Sequence, residues 1–179
     1  MIPLPSMSAS IEPVRAALDA ASTDECVNWM RGLGKKELIA LWTLTAGREV
    51  PQAYFHRGPG EVVIHEGQNS LAAFNQFQKR VALHNGRVQG YNHQAMSWFT
   101  GPGHFQVQGD AASSYFDYTV TVPDAPAEFP PVKPNDAGLS RLVYGGMIDK
   151  VRQVSANSVI GAAFRADKAT GDYFMLVRR

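Results

Sequence analysis

The first third of the chain carries hydrophobic residues at helical spacing. Ser22 and Glu25 form a capping box, in which the serine hydroxyl and the glutamate carboxylate bind amide groups of the first helical turn. This pattern predicts a helix that ends at residues 31–34. The next apolar stripe predicts a second helix over residues 35–46, with Gly47 as its C-cap.

The pattern changes twice before residue 90. A short hydrophobic run over residues 61–65 predicts a strand, and Asn69 is the expected N-cap of a third helix that ends near residues 85–86. The apolar face of that helix would carry Leu71, Phe74, Phe77 and Val81.

Strand patterns dominate from residue 87 onwards, apart from a proline-rich segment over residues 123–134 that is predicted to be a loop. Later strands are predicted over residues 139–144, 147–154, 158–165 and 173–177, although 147–154 also suits one face of a helix. The order of elements predicts an α+β fold, in which N-terminal helices pack on a strongly curved antiparallel sheet or barrel.

Two glycine-containing turns define the predicted hairpins between residues 90 and 122. A two-residue turn at residues 101–102 pairs Trp98 with Phe105, and another at residues 109–110 gives the same division into faces. The apolar face would carry Met96, Trp98, Phe105, Val107, Phe116, Tyr118, Val120 and Val122. The polar face would carry His93, Ser97, His104, Gln106, Tyr115, Asp117 and Thr119.

Length and composition fit one domain. The chain has 179 residues, of which 45% are hydrophobic, and we expect a single domain over residues 11–179 after a flexible leader over residues 1–10. Lys and Arg number 17 against 16 Asp and Glu, without clusters of either sign, so no nucleic-acid partner is predicted. No membrane span or signal peptide is recognisable, so we expect no membrane partner and a cytoplasmic location.

The reactive residue types show no metal or cofactor motif. Cys26 is the single cysteine, which excludes an intramolecular disulfide and a cysteine-rich zinc site. The 5 histidines do not stand at close metal-ligand spacings, and neither a phosphate loop nor a GxSxG elbow is present. We therefore predict no metal, no organic cofactor and no nucleotide-dependent or serine-hydrolase mechanism.

Residues 147–161 read MIDKVRQVSANSVIG, and the aromatic stretch DYFML follows at residues 172–176. This cadence resembles a signature of the GXWXG-type family of unknown function. The resemblance implies a lipocalin-like barrel with a cavity for a small molecule, and it implies no particular reaction.

A second resemblance lies in the order of elements. The predicted helices and strand, the segment GQNSL at residues 67–71 and the segment QVQGDAA at residues 106–112 are similar to the NTF2-like, SnoaL-type fold. That resemblance implies a cone-shaped pocket, and members of the fold include cyclases, isomerases and dehydratases. Both resemblances imply one cavity enclosed by a curved antiparallel sheet.

His104, Tyr115 and Asp117 are the candidate catalytic residues. The turn at residues 109–110 places Tyr115 opposite His104 and Asp117 diagonal to it on the same face. A carboxylate beside an imidazole raises the pKa of the imidazole and fixes its tautomer, which suits acid–base catalysis. The alternative is that this polar face is the hydrated side of the sheet. The same geometry places His93 roughly 20 Å from His104, so the two cannot share one site.

An aromatic stripe and one acid are the candidate ligand-binding residues. They are Met96, Trp98, Phe105, Phe116, Tyr118, Tyr144 and Asp149. Such a stripe either forms a plain core or lines a ligand cavity. In a strand, Asp149 shares a face with Met147 and Val151, where an acid needs a basic partner or has a raised pKa. In a helix, Asp149 would be a solvated surface acid.

These features predict that the protein holds a small hydrophobic or aromatic molecule in an internal cavity. The alternative is a cofactor-independent cyclase, isomerase or dehydratase that acts on such a molecule by acid–base catalysis. A third interpretation, an interaction module that forms a homodimer through the open face of the sheet, has no motif in its support.

Overall fold

A closed β-barrel forms the body of the protein. A computed structural model describes residues 1–71, 75–94 and 101–179. Within these residues, eight antiparallel strands each pair with the next strand, and the last pairs with the first to close the barrel. The strands are β1 Val62–Asn69, β2 Gln76–His84, β3 Arg87–His93, β4 Phe105–Gly109, β5 Ser114–Asp117, β6 Met147–Ser155, β7 Ser158–Arg165 and β8 Lys168–Arg178. The predicted α+β architecture is confirmed, and its sheet is a barrel.

Helices cover one side of the barrel. They are α1 Glu12–Ala20, α2 Thr23–Arg31 and α3 Lys35–Leu44, while the short α4, Ser140–Tyr144, precedes β6. The predicted capping box is present at the start of α2. Apolar side chains of α1–α3 pack against the outer faces of β6, β7 and β8 through Val154, Ile160, Met175 and Val177. None of the described helices is long and apolar enough to cross a membrane.

The N-terminal residues pack on α3. Pro5–Met7 forms a short 3-10 turn in which Pro5 is buried. The Ser6 amide and hydroxyl donate hydrogen bonds of 2.9 and 2.6 Å to the Glu37 carboxylate. The segment for which the sequence predicts a flexible leader is thereby joined to the domain.

A second 3-10 turn closes one end of the barrel. This plug turn, Gln52–Phe55, places Phe55 inside, where its ring centroid lies 4.9 Å from that of Phe116 and 5.6 Å from that of His65. Gln52 binds the backbone of Val107, near the end of β4. The opposite end of the barrel, where β3 ends and β6 begins, is free of the plug and contains the cavity described below.

The third predicted helix is wrong, because residues 76–84 form β2. Phe77, Lys79 and Val81 alternate with outward residues, and this two-residue period is that of a strand. Asn85 and Gly86 have φ angles of 48° and 74°, which are the positive values of a tight hairpin turn between β2 and β3. The Asn-Gly pair therefore marks a hairpin rather than the end of a helix.

The predicted register between β4 and β5 is also wrong. Gln106 lies opposite Asp117, and Gln108 rather than His104 lies opposite Tyr115. The connecting turn is longer than two residues, since the Asp110 amide binds the Ser113 carbonyl. The resulting shift is even, so it keeps the side chains of β4 and β5 on their predicted faces.

Phe105 pairs with Gly90 of β3. Trp98, for which the sequence predicts pairing with Phe105, lies outside the described residues. The predicted separation of His93 from His104 is wrong. Both imidazole rings contact Tyr91, with centroids 6.4 and 5.9 Å from the Tyr91 ring.

The segment 139–144 was expected to be a strand and instead contains α4. α4 ends at Gly145 and Gly146, and the positive φ of 67° at Gly146 turns the chain into β6. The predicted strands over 147–154, 158–165 and 173–177 are confirmed as β6, β7 and β8, although β8 begins earlier than expected.

Candidate functional site

The open end of the barrel contains a cavity of about 360 Å³. This volume lies at the lower end of the range of ligand pockets, about 300–1,000 Å³. The cavity walls include the aromatic residues Phe77, Tyr118, Tyr144, Tyr173 and Phe174. Leu71, Leu142 and Val143 line the cavity and are exposed, as are the polar residues Arg165, Thr170 and Asp172, so its entrance is mixed in character. We call this space the barrel cavity.

A buried polar cluster forms part of the cavity wall. Lys79 points inward from β2, and only 3% of its side chain is exposed. Its Nζ donates hydrogen bonds to Asn92 Oδ1 at 3.0 Å, to Asp149 Oδ2 at 3.3 Å and to the Tyr118 hydroxyl. Lys79 and Asp149 thus form a buried ion pair between two strands that do not neighbour each other in the barrel.

The partners of Lys79 also bind one another. Asn92 lies directly across from Lys79 in the β2–β3 register, and its Nδ2 donates to the Gly103 carbonyl at 3.2 Å and the Tyr118 hydroxyl at 3.1 Å. The Tyr118 hydroxyl donates to Asp149 Oδ2 at 3.3 Å. Because the partners are joined in this way, the amine of Lys79 is held in one place.

Aromatic rings surround the amine. The distances from Lys79 Nζ to the ring centroids are 5.7 Å for Phe77, 4.8 Å for Phe105, 4.7 Å for Phe116, 5.0 Å for Tyr118 and 5.1 Å for Phe174. Aromatic faces attract a cation at such distances, and they stabilise an ammonium group most where water is excluded. We call these five rings the aromatic cage.

Glycines on neighbouring strands make room for the cage. Gly67, Gly90 and Gly161 are the register partners of Phe77, Phe105 and Phe174. A Cβ atom at these glycines would lie 2.7 Å from the Phe77 ring, 2.7 Å from the Phe105 ring and 2.1 Å from the Phe174 ring. Each phenylalanine ring therefore lies across the backbone of a glycine, which sets its place beside Lys79.

Tyr144 of α4 continues this wall. Its ring stacks on the Tyr118 ring, with centroids 5.4 Å apart and an interplanar angle of 11°. Gly103 touches the other side of the ring, because a Cβ there would lie 2.4 Å from Tyr144. The side chain of Gln94 donates a hydrogen bond of 2.9 Å to the Tyr144 hydroxyl. Gln94, Gly103 and the short α4 thus lie together on this side of the cavity.

Burial changes the acid–base properties of the cluster. It lowers the pKa of the Lys79 amine, and the nearby Asp149 opposes that effect. It raises the pKa of the Asp149 carboxyl, against the opposing effects of Lys79 and Tyr118. Burial and the charge of Asp149 raise the pKa of the Tyr118 hydroxyl well above its ordinary value, so this hydroxyl stays protonated. The amine thus gives up its proton more readily than an ordinary lysine, and the carboxyl keeps a proton more readily than an ordinary aspartate.

The sequence-based ligand set falls largely at this site. Tyr118, Tyr144 and Asp149 line the barrel cavity, while Phe105 and Phe116 belong to the aromatic cage. For an acid on an apolar face the sequence predicts either a basic partner or a raised pKa, and Asp149 has both. Met96 and Trp98 lie outside the described residues.

Sequence reasoning missed Lys79 and Asn92. The predicted third helix places Lys79 on a polar face, whereas the alternation of Phe77, Lys79 and Val81 in a strand places a lone lysine among inward apolar residues. The Asn-Gly pair at residues 85–86 was the signal for that strand. Once β2 and β3 are read as a hairpin, Asn92 follows as the partner of Lys79.

The candidate catalytic residues lie on the outer face of the barrel. The predicted pairing of His104 with Tyr115 is wrong, because the longer turn between β4 and β5 places Gln108 opposite Tyr115. No hydrogen bond joins either His104 ring nitrogen to another described residue. The Asp117 carboxylate instead accepts hydrogen bonds from the amide and hydroxyl of Thr119, at 2.8 and 2.6 Å. The acid–base role of these residues stays a prediction, without the pairing on which it was based.

His104 lies beside a second cavity of about 340 Å³, formed with residues 119–122 and 132–136. Burial lowers the pKa of His104; the carbonyl groups of Pro130 and Pro131 oppose the shift without reaching hydrogen-bonding geometry. In the described parts of the chain, no group of three or more His, Cys, Asp or Glu side chains could hold a metal ion. Tyr118 lines both cavities, whereas Lys79 and Asp149 line the barrel cavity and not this one.

Comparisons with protein-family models, curated proteins and solved structures gave no significant match. The resemblances to the GXWXG-type family and to the NTF2-like fold therefore stay predictions. The closed barrel and the cluster around Lys79 are the observations from which a function can be argued.

Proposed function

We propose that the protein binds a small hydrophobic or aromatic molecule in the barrel cavity. The observation that carries this proposal is the cavity itself: aromatic and aliphatic side chains line it together with the buried polar cluster around Lys79, while charged residues such as Arg165 and Asp172 lie at its exposed edge. Ligand pockets of soluble proteins commonly have this composition, in which apolar walls provide affinity and a few polar groups set the orientation.

The polar cluster defines how such a ligand would lie. A polar group of the ligand could exchange with one of the hydrogen bonds within this cluster, either as an acceptor for Lys79 or Tyr118 or as a donor to Asp149. A ligand with one polar group could place that group against the cluster and its ring against Tyr144 or Phe174. A purely aliphatic ligand would leave these buried polar groups without a new partner, and would gain less from the site.

Binding of the neutral fluorescent probe N-phenyl-1-naphthylamine tests the proposal. We expect saturable enhancement of the probe's fluorescence by the wild-type protein. The substitution Ala163→Leu places a larger side chain in the cavity and reduces the space for the probe. We expect it to weaken probe binding by about tenfold or more, which corresponds to a loss of ~1.4 kcal/mol or more in the free energy of binding.

The matched control is Ala169→Leu, at an exposed position of the neighbouring strand β8. This variant should bind the probe as the wild type does. Equal binding by Ala163→Leu and the wild type, or the absence of saturable binding, would contradict the proposal. Independently of the probe, native mass spectrometry of the purified protein would identify any molecule that the protein carries from the cell.

A cofactor-independent lyase or isomerase that acts in the same cavity is the second candidate function. It is favoured by the contact of Tyr118, a protonated phenol, with Asp149 and Lys79, whose pKa values are both shifted toward proton exchange. Groups with shifted pKa values inside a cavity are those that acid–base catalysis employs. This candidate replaces His104 by the Lys79 cluster as the source and acceptor of protons.

A further inference from the structure

We propose that Lys79 forms a reversible imine with an aldehyde or ketone that enters the barrel cavity. The inference rests on the proposed ligand-binding function, and it names the chemical class of the ligand. Amines of buried lysines act as nucleophiles toward carbonyl groups when they are desolvated and positioned, which the ammonium groups of surface lysines are not.

The position of the amine supports this chemistry. Lys79 lines the barrel cavity, and its Nζ is held by hydrogen bonds to Asn92, Asp149 and the Tyr118 hydroxyl. The other lysines are exposed at the surface: Lys35, Lys36, Lys133, Lys150 and Lys168. A hydrophobic carbonyl compound in the cavity would therefore meet one lysine, and that lysine has no bulk water around it.

Asp149 supplies the proton transfer that makes the amine reactive. Its Oδ2 lies 3.3 Å from Lys79 Nζ, so the ammonium proton can pass to the carboxylate along an existing hydrogen bond. In apolar surroundings a neutral amine beside a neutral acid costs less desolvation than the ion pair. The net charge of the two groups does not change in this step, and the amine nitrogen gains a free electron pair.

The remaining steps balance within the site. The nitrogen electron pair attacks the carbonyl carbon, the C=O π electrons move to oxygen, and a proton passes from nitrogen to that oxygen with the Tyr118 hydroxyl as relay. The protonated Asp149 then gives its proton to the carbinolamine hydroxyl, which leaves as water while the C=N bond forms. The products are one iminium group, one Asp149 carboxylate and one water molecule. No oxidant, reductant or metal is consumed.

The same environment suits the product. The iminium group carries a positive charge at the former position of the ammonium group, opposite Asp149 and within the aromatic cage. Cation–aromatic attraction and the carboxylate therefore stabilise it as they stabilise the protonated lysine. The water that leaves can pass through the open end of the barrel.

Reductive trapping tests the inference. We expect 2-naphthaldehyde with sodium cyanoborohydride at pH 7 to leave a secondary amine on Lys79, detected by peptide mass spectrometry. Labelling of Lys79 should exceed that of each exposed lysine by about tenfold or more, since ordinary lysines are almost fully protonated at this pH. The peptide that contains Met1 is scored separately, because a terminal amine also forms imines with aldehydes.

The comparison among lysines is made within one sample of wild-type protein, so it does not depend on the folding of a variant. Lys79→Met should remove the adduct, and Lys168→Met, at an exposed position, should label Lys79 as the wild type does. Displacement of N-phenyl-1-naphthylamine by 2-naphthaldehyde, measured without reductant, reports occupation of the cavity.

The outcomes separate the two proposals. Preferential labelling of Lys79 supports the imine. Displacement of the probe without preferential labelling of Lys79 overturns the imine and leaves the ligand-binding function in place. The absence of both saturable probe binding and Lys79 labelling overturns both.

Discussion

At the residue scale, the most consequential side chain is Lys79, a basic group inside a barrel of aromatic residues. A lysine in such surroundings persists only because its charge and hydrogen-bonding groups are satisfied by Asp149, Asn92 and Tyr118. Removing Lys79 or Asp149 alone should therefore lower the free energy of unfolding by more than half of what removing both together costs.

We expect Lys79→Met and Asp149→Leu each to lower the free energy of unfolding by about 3–5 kcal/mol, because each leaves its partner buried without a counter-charge. The double variant should lose less than the sum of the single losses by about 1–3 kcal/mol. Chemical denaturation of the wild type, the two single variants and the double variant measures this cycle.

The control is the exposed pair of Arg15 and Glu12, whose side chains are 44% and 55% exposed. The substitution Arg15→Met should lower the free energy of unfolding by less than about 1 kcal/mol. Additive losses for Lys79 and Asp149 would contradict the ion pair.

His65 is a second buried group of interest, and it lies beside the plug turn rather than in the cavity. Neither ring nitrogen has a hydrogen-bond partner among the described residues, and the rings of Tyr54 and Phe55 lie 6.1 and 5.6 Å away. Burial lowers the pKa of His65 from 6.5 to about 3. The imidazole is therefore neutral in the folded protein at pH 7 and remains so in mild acid.

This shift predicts a loss of stability in acid. Between pH 6.5 and about 3 the unfolded chain binds a proton at His65 that the folded chain does not, so the stability present above pH 6.5 declines as the pH falls. From pH 6.5 to pH 4.5 the loss due to His65 should be roughly 2–3 kcal/mol. Denaturation of wild type and His65→Leu at both pH values isolates it, because the other titrating groups are common to both proteins. Equal pH dependence in the two would refute the assignment.

Asp149 shows how far single residues could be predicted. Its position on an apolar strand face was readable from the sequence, and so was its need for a partner. The identity of that partner was not, because Lys79 lies 70 residues away and reaches Asp149 only across the interior of the barrel.

At the element scale, the glycine–phenylalanine pairs determine how β7 and β8 meet. Gly161 and Phe174 are register partners, and a Cβ at Gly161 would lie 2.1 Å from the Phe174 ring. The ring cannot keep its place beside Lys79 unless position 161 lacks a side chain.

We expect Gly161→Ala to lower the free energy of unfolding by about 1–3 kcal/mol, because the added methyl group displaces a buried ring. The second substitution Phe174→Leu should cost less in the Gly161→Ala background than in the wild type. Gly34→Ala is the control, since a Cβ there meets nothing within 4 Å, and it should cost less than about 1 kcal/mol. Thermal or chemical unfolding measures all of these, and a neutral Gly161→Ala would contradict the role given to the pair.

Predictions from the sequence were most accurate where a local signal was strong. The capping box at Ser22 and the strand alternation after residue 146 correspond to elements of the structure. Residues 76–84 were misassigned because the apolar residues Phe77 and Val81 fit a helical spacing of four as well as a strand spacing of two. Short apolar runs are ambiguous in this way, and here tertiary pairing with β1 and β3 decided the outcome.

At the scale of the whole molecule, closure of the sheet creates the site. The cluster takes Lys79 from β2, Asn92 from β3, Asp149 from β6 and Tyr118 from the residue that follows β5. In an open sheet β2 and β6 would lie far apart, whereas in a closed barrel their inward side chains meet across the interior. The plug turn places Phe55 inside the other end of the barrel, beside Phe116 and His65.

The sequence by itself determined which side chains of β4 and β5 share a face of the sheet, and left open which of the two faces lines the interior. That division survives the errors in register because side chains alternate with a period of two, and the observed shift between β4 and β5 is an even number of residues. The tertiary structure alone decided which inward residues meet. Turn lengths set the register between neighbouring strands, and closure of the barrel set the contacts between distant ones. His104 consequently does not pair with Tyr115, and Lys79 has Asp149 as its partner.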